Sequence, residues 1–180
     1  MTDIGFIGLG IMGKPMAGHL QAAGHRLHVL ETSAAAKELI AAGAVACKSG
    51  KEIAEKSSVI IIMVPDTPDV ESVLFKSGGV AEGLSKGKTV VDMSSISPIA
   101  TKEFAKKVNT LGADYLDAPV SGGEVGAKAA SLTIMVGGAQ NVFDAVKPLF
   151  EKMGKNVTLV GGNGDGQTTK VANQIIVALT

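Results

Sequence analysis

The sequence is poor in aromatics, in cysteine and in net charge. Five Phe and one Tyr, with no Trp, stand among 180 residues, too few for the stacking platform that holds single-stranded nucleic acid. The interior must therefore be aliphatic, built from Ile, Val, Leu, Met and Ala. Seventeen basic residues balance seventeen acidic ones, which removes the long-range field that gathers polyanions or anionic membranes. Any anion has to be caught locally. The single cysteine, Cys47, excludes an internal disulfide framework and fits a reducing compartment. No apolar run reaches the roughly 18 residues of a transmembrane helix, and Met1-Thr2-Asp3 leads straight into a strand-like run without the segments of a secretory leader. These absences predict a soluble, cytoplasmic chain whose partner is a small molecule, with neither nucleic acid nor membrane involved. His19, His25 and His28 match no ligand spacing, so no metal site is expected.

What the chain has instead is glycine and rhythm. Apolar runs of about 4–7 residues alternate with amphipathic stretches of about 10–15, the pattern of parallel strands joined by crossover helices. The fold class is α/β: a doubly wound, mostly parallel sheet with helices on both faces. Strands are predicted at 4–7, 25–30, 45–46, 58–64, 89–92, 113–117, 132–136 and 157–160. Helices are predicted at 11–23, 34–42, 51–56, 99–111, 141–153 and 168–180. Thr67-Pro68 and Ser97-Pro98 both read as an N-cap followed by proline at the first helical position. Residues 118–131, rich in small side chains, read as a long loop of the kind that carries function.

Gly8-Leu9-Gly10-Ile11-Met12-Gly13 matches G-x-G-x-x-G. With 23 glycines in 180 residues a chance match is expected about 0.4 times, so context decides. The match follows the first strand and opens a helix, where backbone N–H groups and the helix dipole receive a pyrophosphate. Gly8 permits the tight turn, Gly10 the approach of phosphate, and Gly13 close packing of helix on strand. Eighteen residues beyond Gly13, Glu31 ends the second strand. Its carboxylate accepts from both ribose hydroxyls and repels a 2′-phosphate, and Thr32 and Ser33 offer no guanidinium, so NAD(H) is expected in preference to NADP(H).

Near the far end, Gly164-Asp165-Gly166-Gln167 runs into a helix on which Lys170, Asn173 and Gln174 share one face by i+3 and i+4 spacing. An ammonium beside an amide suits a site that polarises and protonates a carbonyl oxygen. Val171, Ile175 and Leu179 define a separate apolar face.

Five blocks taken together carry a resemblance: Gly5 through Met16, Met63-Val64-Pro65-Asp66, Asp92-Met93-Ser94-Ser95, Asp117 through Gly123, and Lys170-Val171-Ala172-Asn173-Gln174. In this order they resemble the β-hydroxyacid dehydrogenase family over essentially the whole chain. The resemblance implies a Rossmann-like NAD-binding domain at 1–163. It also implies that 164–180 begin a helix leading to an all-helical second domain, absent from these residues, through which the parent enzyme forms a homo-oligomer. The implied reaction is the reversible NAD(P)H-dependent reduction of 2-hydroxy-3-oxopropanoate to D-glycerate. Lys170 becomes the general acid and base, Ser121, Gly122 and Gly123 hold the substrate carboxylate, and Asn173 orients the reacting carbons. Val64, Pro65 and Ser95 line the cofactor groove, with Leu9, Ile11 and Met12 in its turn. Oxidation of 3-hydroxyisobutyrate is the alternative within the family, and a non-catalytic NAD-binding module the alternative outside it. Two departures stand out: Ala130 where relatives carry glycine, and Glu31-Thr32-Ser33 in the cofactor-choice segment.

Overall fold

Successive residues of one strand point to opposite faces, so a strand apolar throughout needs cover on both. In the computed structural model, which describes residues 1–179, Ile61 packs into one core while its neighbours Ile60 and Ile62 pack into the other. Ile4 and Phe6 divide from Ile7 in the same way. Both faces of the sheet are therefore covered.

The first half runs β1 (Asp3–Ile7), α1 (Gly13–Ala22), β2 (Arg26–Leu30), α2 (Ala36–Ala41), β3 (Val45–Cys47), α3 (Gly50–Lys56) and β4 (Val59–Ile62). There follow α4 (Thr67–Phe75), β5 (Thr89–Asp92), α5 (Pro98–Thr110), β6 (Asp114–Asp117), β7 (Val120–Ser121) and α6 (Gly123–Lys128). The chain continues through β8 (Leu132–Gly137), α7 (Gln140–Phe150), β9 (Gly154–Gly161) and α8 (Asp165–Leu179). Six strands lie parallel in the order β3-β2-β1-β4-β5-β6. Beyond β6 the direction reverses: β8 runs antiparallel to β6 and β7, and β9 is parallel to β8. Met16 and Leu20 of α1 cover one face with Val142 and Phe150 of α7, whereas Ile53, Leu74 and Phe104 from α3, α4 and α5 cover the other. The strand order switches between β1 and β4, which opens a crevice at their carboxyl ends, the place where open α/β sheets bind ligands.

The structure departs from the sequence reading at helix starts. Ser97 caps α5 as expected, its hydroxyl accepting from Ala100 N. In α4 the cap is Asp66, not Thr67: its carboxylate accepts from Thr67 N, and Asp69 returns a bond to Asp66 N. An acid one residue earlier outcompetes threonine because it is charged and complements the helix dipole. Residues 118–131 are not an irregular loop but contain β7 and α6. The predicted start of α8 lies three residues late, because buried Asp117 caps a turn that the glycines had suggested was loop. A short 3-10 turn at Val80–Gly83 was also missed.

Ala130 is the only non-glycine with a left-handed backbone among the described residues, at φ +51°. The turn into β8 thus holds an alanine in a conformation that favours glycine, at a cost of about 1 kcal/mol or more. Ala130→Gly is expected to raise stability by roughly 0.5 kcal/mol after the added freedom of the unfolded chain is subtracted. A rise in the urea midpoint at constant slope checks it.

Candidate active site

Three glycines shape the turn between β1 and α1, each differently. Gly8 has φ +98°, and a side chain there would strike the carbonyl of Met63 on the neighbouring strand end. A methyl at Gly13 would strike the carbonyl of Gly8, so helix and turn pack backbone to backbone. At Gly10 a methyl would have nothing within 4 Å. With Ile11, Met12, Val64 and Pro65 these glycines line a crevice of about 270 Å³. Leu9 sends its side chain into the core, leaving only its backbone for a ligand. The exposed Gly10 and the helix start behind it are the cradle a pyrophosphate requires. In the sheet Phe6 pairs with Val29, and Gly8 and exposed Glu31 each follow that pair by two residues, just past the ends of neighbouring strands. Thr32 follows it at the surface. Neither residue lines the crevice.

The second part of the site is built at the start of α8. The buried carboxylate of Asp117, at the end of β6, accepts from Gly164 N at 2.8 Å and Gln167 N at 3.0 Å. Gln167, also buried, accepts from Ile96 N at 3.1 Å and donates to Ser94 O at 2.7 Å. These bonds fasten the first turn of α8 to the ends of β5 and β6. One turn on, Lys170 is only 9% exposed, and its Nζ donates to Gln174 Oε1 at 2.9 Å. Among the described residues no carboxylate pairs with it, and burial draws its ammonium below the usual lysine range. Lys170, Gln174 and Ser95 line a cavity of about 520 Å³. Asp66 also lines it, and the preceding residue, Pro65, lines the glycine-turn crevice. Asn173 Nδ2 stands 3.5 Å from both Ser121 Oγ and Gln174 Oε1, which brings the Ser121-Gly122-Gly123 turn beside α8. Gly122 and Gly123 are exposed and both have positive φ, +129° and +57°.

Ser95 and Val64 are placed by a buried acid. Asp92 accepts from Ser94 N and from the Tyr115 hydroxyl, both at 3.0 Å, and Ser94 Oγ accepts from Val64 N at 3.0 Å. Burial pushes the Asp92 carboxyl up to about 6, from an ordinary value of 3.8. The folded protein therefore holds this proton more tightly than the unfolded chain does. The stability it contributes is fully present below pH ~4 and is lost as pH rises through ~6, a change of about 3 kcal/mol. In Asp92→Asn that slope disappears. Urea unfolding of both proteins at a series of pH values should show wild type gaining on the variant as pH falls.

Asp92, Asp117 and Gln167 were not singled out as site residues from the sequence, and Gln174 was placed on the Lys170 face by its i+4 spacing without a role of its own. An acid ending a wholly apolar strand was the signal for the first. Among the described residues no group of three His, Cys, Asp or Glu is arranged to hold a metal ion, and no helix is long and apolar enough to cross a membrane.

The strand order, the switch-point crevice and the glycine turn define a Rossmann-like dinucleotide-binding domain. A family model described as the NAD binding domain of 6-phosphogluconate dehydrogenase matches residues 3–162. The chain belongs to that family and represents the NAD-binding domain found in β-hydroxyacid dehydrogenases. It is 64% identical over 176 residues to the 2-hydroxy-3-oxopropionate reductase of Escherichia coli K12, covering 98% of this chain and 60% of that protein. It is 40% identical over 180 residues to the mitochondrial 3-hydroxyisobutyrate dehydrogenase of Mus musculus, covering 99% and 54%. Among solved structures, the Mycobacterium tuberculosis 3-hydroxyisobutyrate dehydrogenase with L-serine superposes with a TM-score of 0.91 at 34% identity, covering 99% of this chain and 60% of that one. The chain thus spans between half and two thirds of the length of these relatives.

Proposed function

We propose that the chain is the cofactor-binding portion of a reductase that converts 2-hydroxy-3-oxopropanoate to D-glycerate, reversibly, with NAD(H) preferred over NADP(H). The observation that carries this reading is buried Lys170, bonded to Gln174 and lining a cavity whose Asp66 directly follows Pro65 of the glycine-turn crevice. NAD(H), when bound, supplies or receives the hydride. Gly8, Gly10 and Gly13, with the backbone of Leu9, Ile11 and Met12, hold its pyrophosphate, and Val64, Pro65 and Ser95 flank its groove. Glu31 and Thr32 take the adenosine ribose. Ser121 Oγ and the N–H groups of Gly122 and Gly123 hold the substrate carboxylate, while Asn173 orients the carbons beside it.

Lys170 donates from Nζ to the aldehyde oxygen during reduction and takes the hydroxyl proton during oxidation. Its lowered affinity for the proton suits both directions. The bond to Gln174 Oε1 aims the ammonium without neutralising it. The 64% identity to the E. coli reductase favours 2-hydroxy-3-oxopropanoate as substrate. The mouse and mycobacterial proteins favour a second reading, oxidation of 3-hydroxyisobutyrate.

The remaining length of the relatives is assigned the rest of the substrate pocket and the contact between subunits, with 1–163 as the nucleotide domain and 164–180 as the helix leaving it. These 180 residues alone should then bind NADH yet turn over little substrate. Steady-state reduction by the isolated chain at a rate comparable to full-length relatives would refute that division. Cofactor choice is checked by titration: Glu31 should make NADH bind at least about tenfold more tightly than NADPH, and equal or tighter NADPH binding would overturn the preference.

A further inference from the structure

His19 lies two turns into α1, on the helix that the glycine turn opens. Its Nε2 is 3.0 Å from Ala127 O and 3.1 Å from Lys128 O, at the last turn of α6. Both acceptors are carbonyls with no proton to give, so Nε2 must carry the hydrogen and donate to both. The carbonyls at a helix end lack partners within the helix, and this imidazole supplies one from another element more than a hundred residues away. Packing seats the contact: Met16, Ala17 and Leu20 of α1 share a core with Ala127 of α6.

The placement links two regions. The other end of α6 is capped by Gly122, inside the Ser121-Gly122-Gly123 turn, and the head of α1 is Gly13, the last glycine of the dinucleotide turn. Helix α6 is six residues long, so its two ends lie within about 9 Å of each other. Whatever fixes the C-terminal end of α6 also sets the height and tilt of the turn at its N-terminal end.

We propose that His19 is a positioning residue that couples the two turns, so that NADH bound at the head of α1 orders the Ser121–Gly123 turn through α6. This rests on the reading that residues 8–13 bind the dinucleotide, and it adds an order to events: the cofactor prepares the place of the substrate carboxylate. His19 itself touches neither ligand.

Amide hydrogen exchange with and without NADH tests the proposal on the whole chain, using His19→Ala and His19→Gln. Gln Nε2 stands as many bonds from Cα as His Nε2 and carries hydrogens, so it can restore the contact. In wild type, NADH should slow exchange at residues 8–13 and at 122–128. In H19A, segment 122–128 should exchange about tenfold faster and no longer respond to NADH, the effect of one lost hydrogen bond. NADH affinity should stay within roughly twofold, because α1 keeps its own packing. H19Q should restore both the slow exchange and the response. If H19A does not fold, His19→Asn, whose amide is one bond too short, carries the same expectation.

Protection of 122–128 by NADH that persists in H19A would overturn the proposal, as would failure of H19Q to restore it. Wild-type protection at 8–13 without any at 122–128 would refute the coupling alone. No protection at 8–13 would refute the cofactor reading on which it rests.

Discussion

In a protein carrying this chain at the full length of its relatives, Lys170→Ala is expected to lower turnover by about 10²–10⁴-fold, the range for loss of a general acid, while the NADH dissociation constant stays close to wild type. The separation follows from geometry. Lys170 lines the cavity between the ends of β5 and α8, whereas the glycine turn lines the crevice next to it, so the two losses are independent. Helix α8 should survive the change, since its first turn is fixed by Asp117 and Gln167.

The remaining activity of wild type should carry the lysine's signature in its pH dependence. Burial favours the neutral amine, so the proton needed for reduction is lost as pH rises through a value below the usual lysine range. Reduction should decline on that limb, and oxidation, which needs the neutral amine, should rise on it. In Lys170→Ala both limbs vanish. Lys170→Arg keeps the charge but cannot give up its proton in this range, and should be nearly as inactive. Turnover within a few-fold of wild type in either variant would remove Lys170 from the chemistry.

The largest contrast among binding variants lies within one motif. Gly13→Ala drives a methyl into the Gly8 carbonyl, with Phe6 Cε1 3.1 Å away. Because backbone cannot yield as a flexible side chain does, α1 must lift from β1, at an expected cost of about 3 kcal/mol. Gly10→Ala meets no protein atom within 4 Å, so stability should change by no more than about 0.5–1 kcal/mol. Its methyl instead stands where a pyrophosphate approaches the backbone, and NADH affinity should fall by about 100-fold. Urea unfolding and NADH titration of both variants separate the roles. A G10A protein that binds NADH normally would show that the phosphates lie elsewhere.

Much of this organisation was legible in the sequence because it is local. The apolar run around Ile60-Ile61-Ile62 demands two covered faces, and the glycine spacing after β1 demands a turn into a helix. The lysine and the amide four residues beyond it must share a helix face. What escaped is long-range or competitive. Asp117 caps α8 across 47 residues, and nothing in the spacing of the glycines announces that partner. Asp66 displaces Thr67 as the cap of α4 because two adjacent residues both suit the position and charge decides between them. The segment after Pro119 reads as loop because its small residues give little periodicity, yet β7 gains its two-residue ladder from β8, and Ala130 holds a left-handed turn its residue type disfavours. Local patterns were thus easier to read than the long-range contacts that fix them in place.

In the function proposed above, the glycine turn, Lys170 and the Ser121-Gly122-Gly123 turn form one site for a dinucleotide and a small hydroxyacid or its semialdehyde. This is tested by kcat/KM with NADH in a protein carrying this chain at the full length of its relatives, for 2-hydroxy-3-oxopropanoate against methylmalonate semialdehyde. Efficient reduction of the first is expected, with a clear preference over the second, and loss of both in Lys170→Ala. An equal or greater efficiency with methylmalonate semialdehyde would contradict the substrate assignment, and reduction that survives without Lys170 would contradict the site itself.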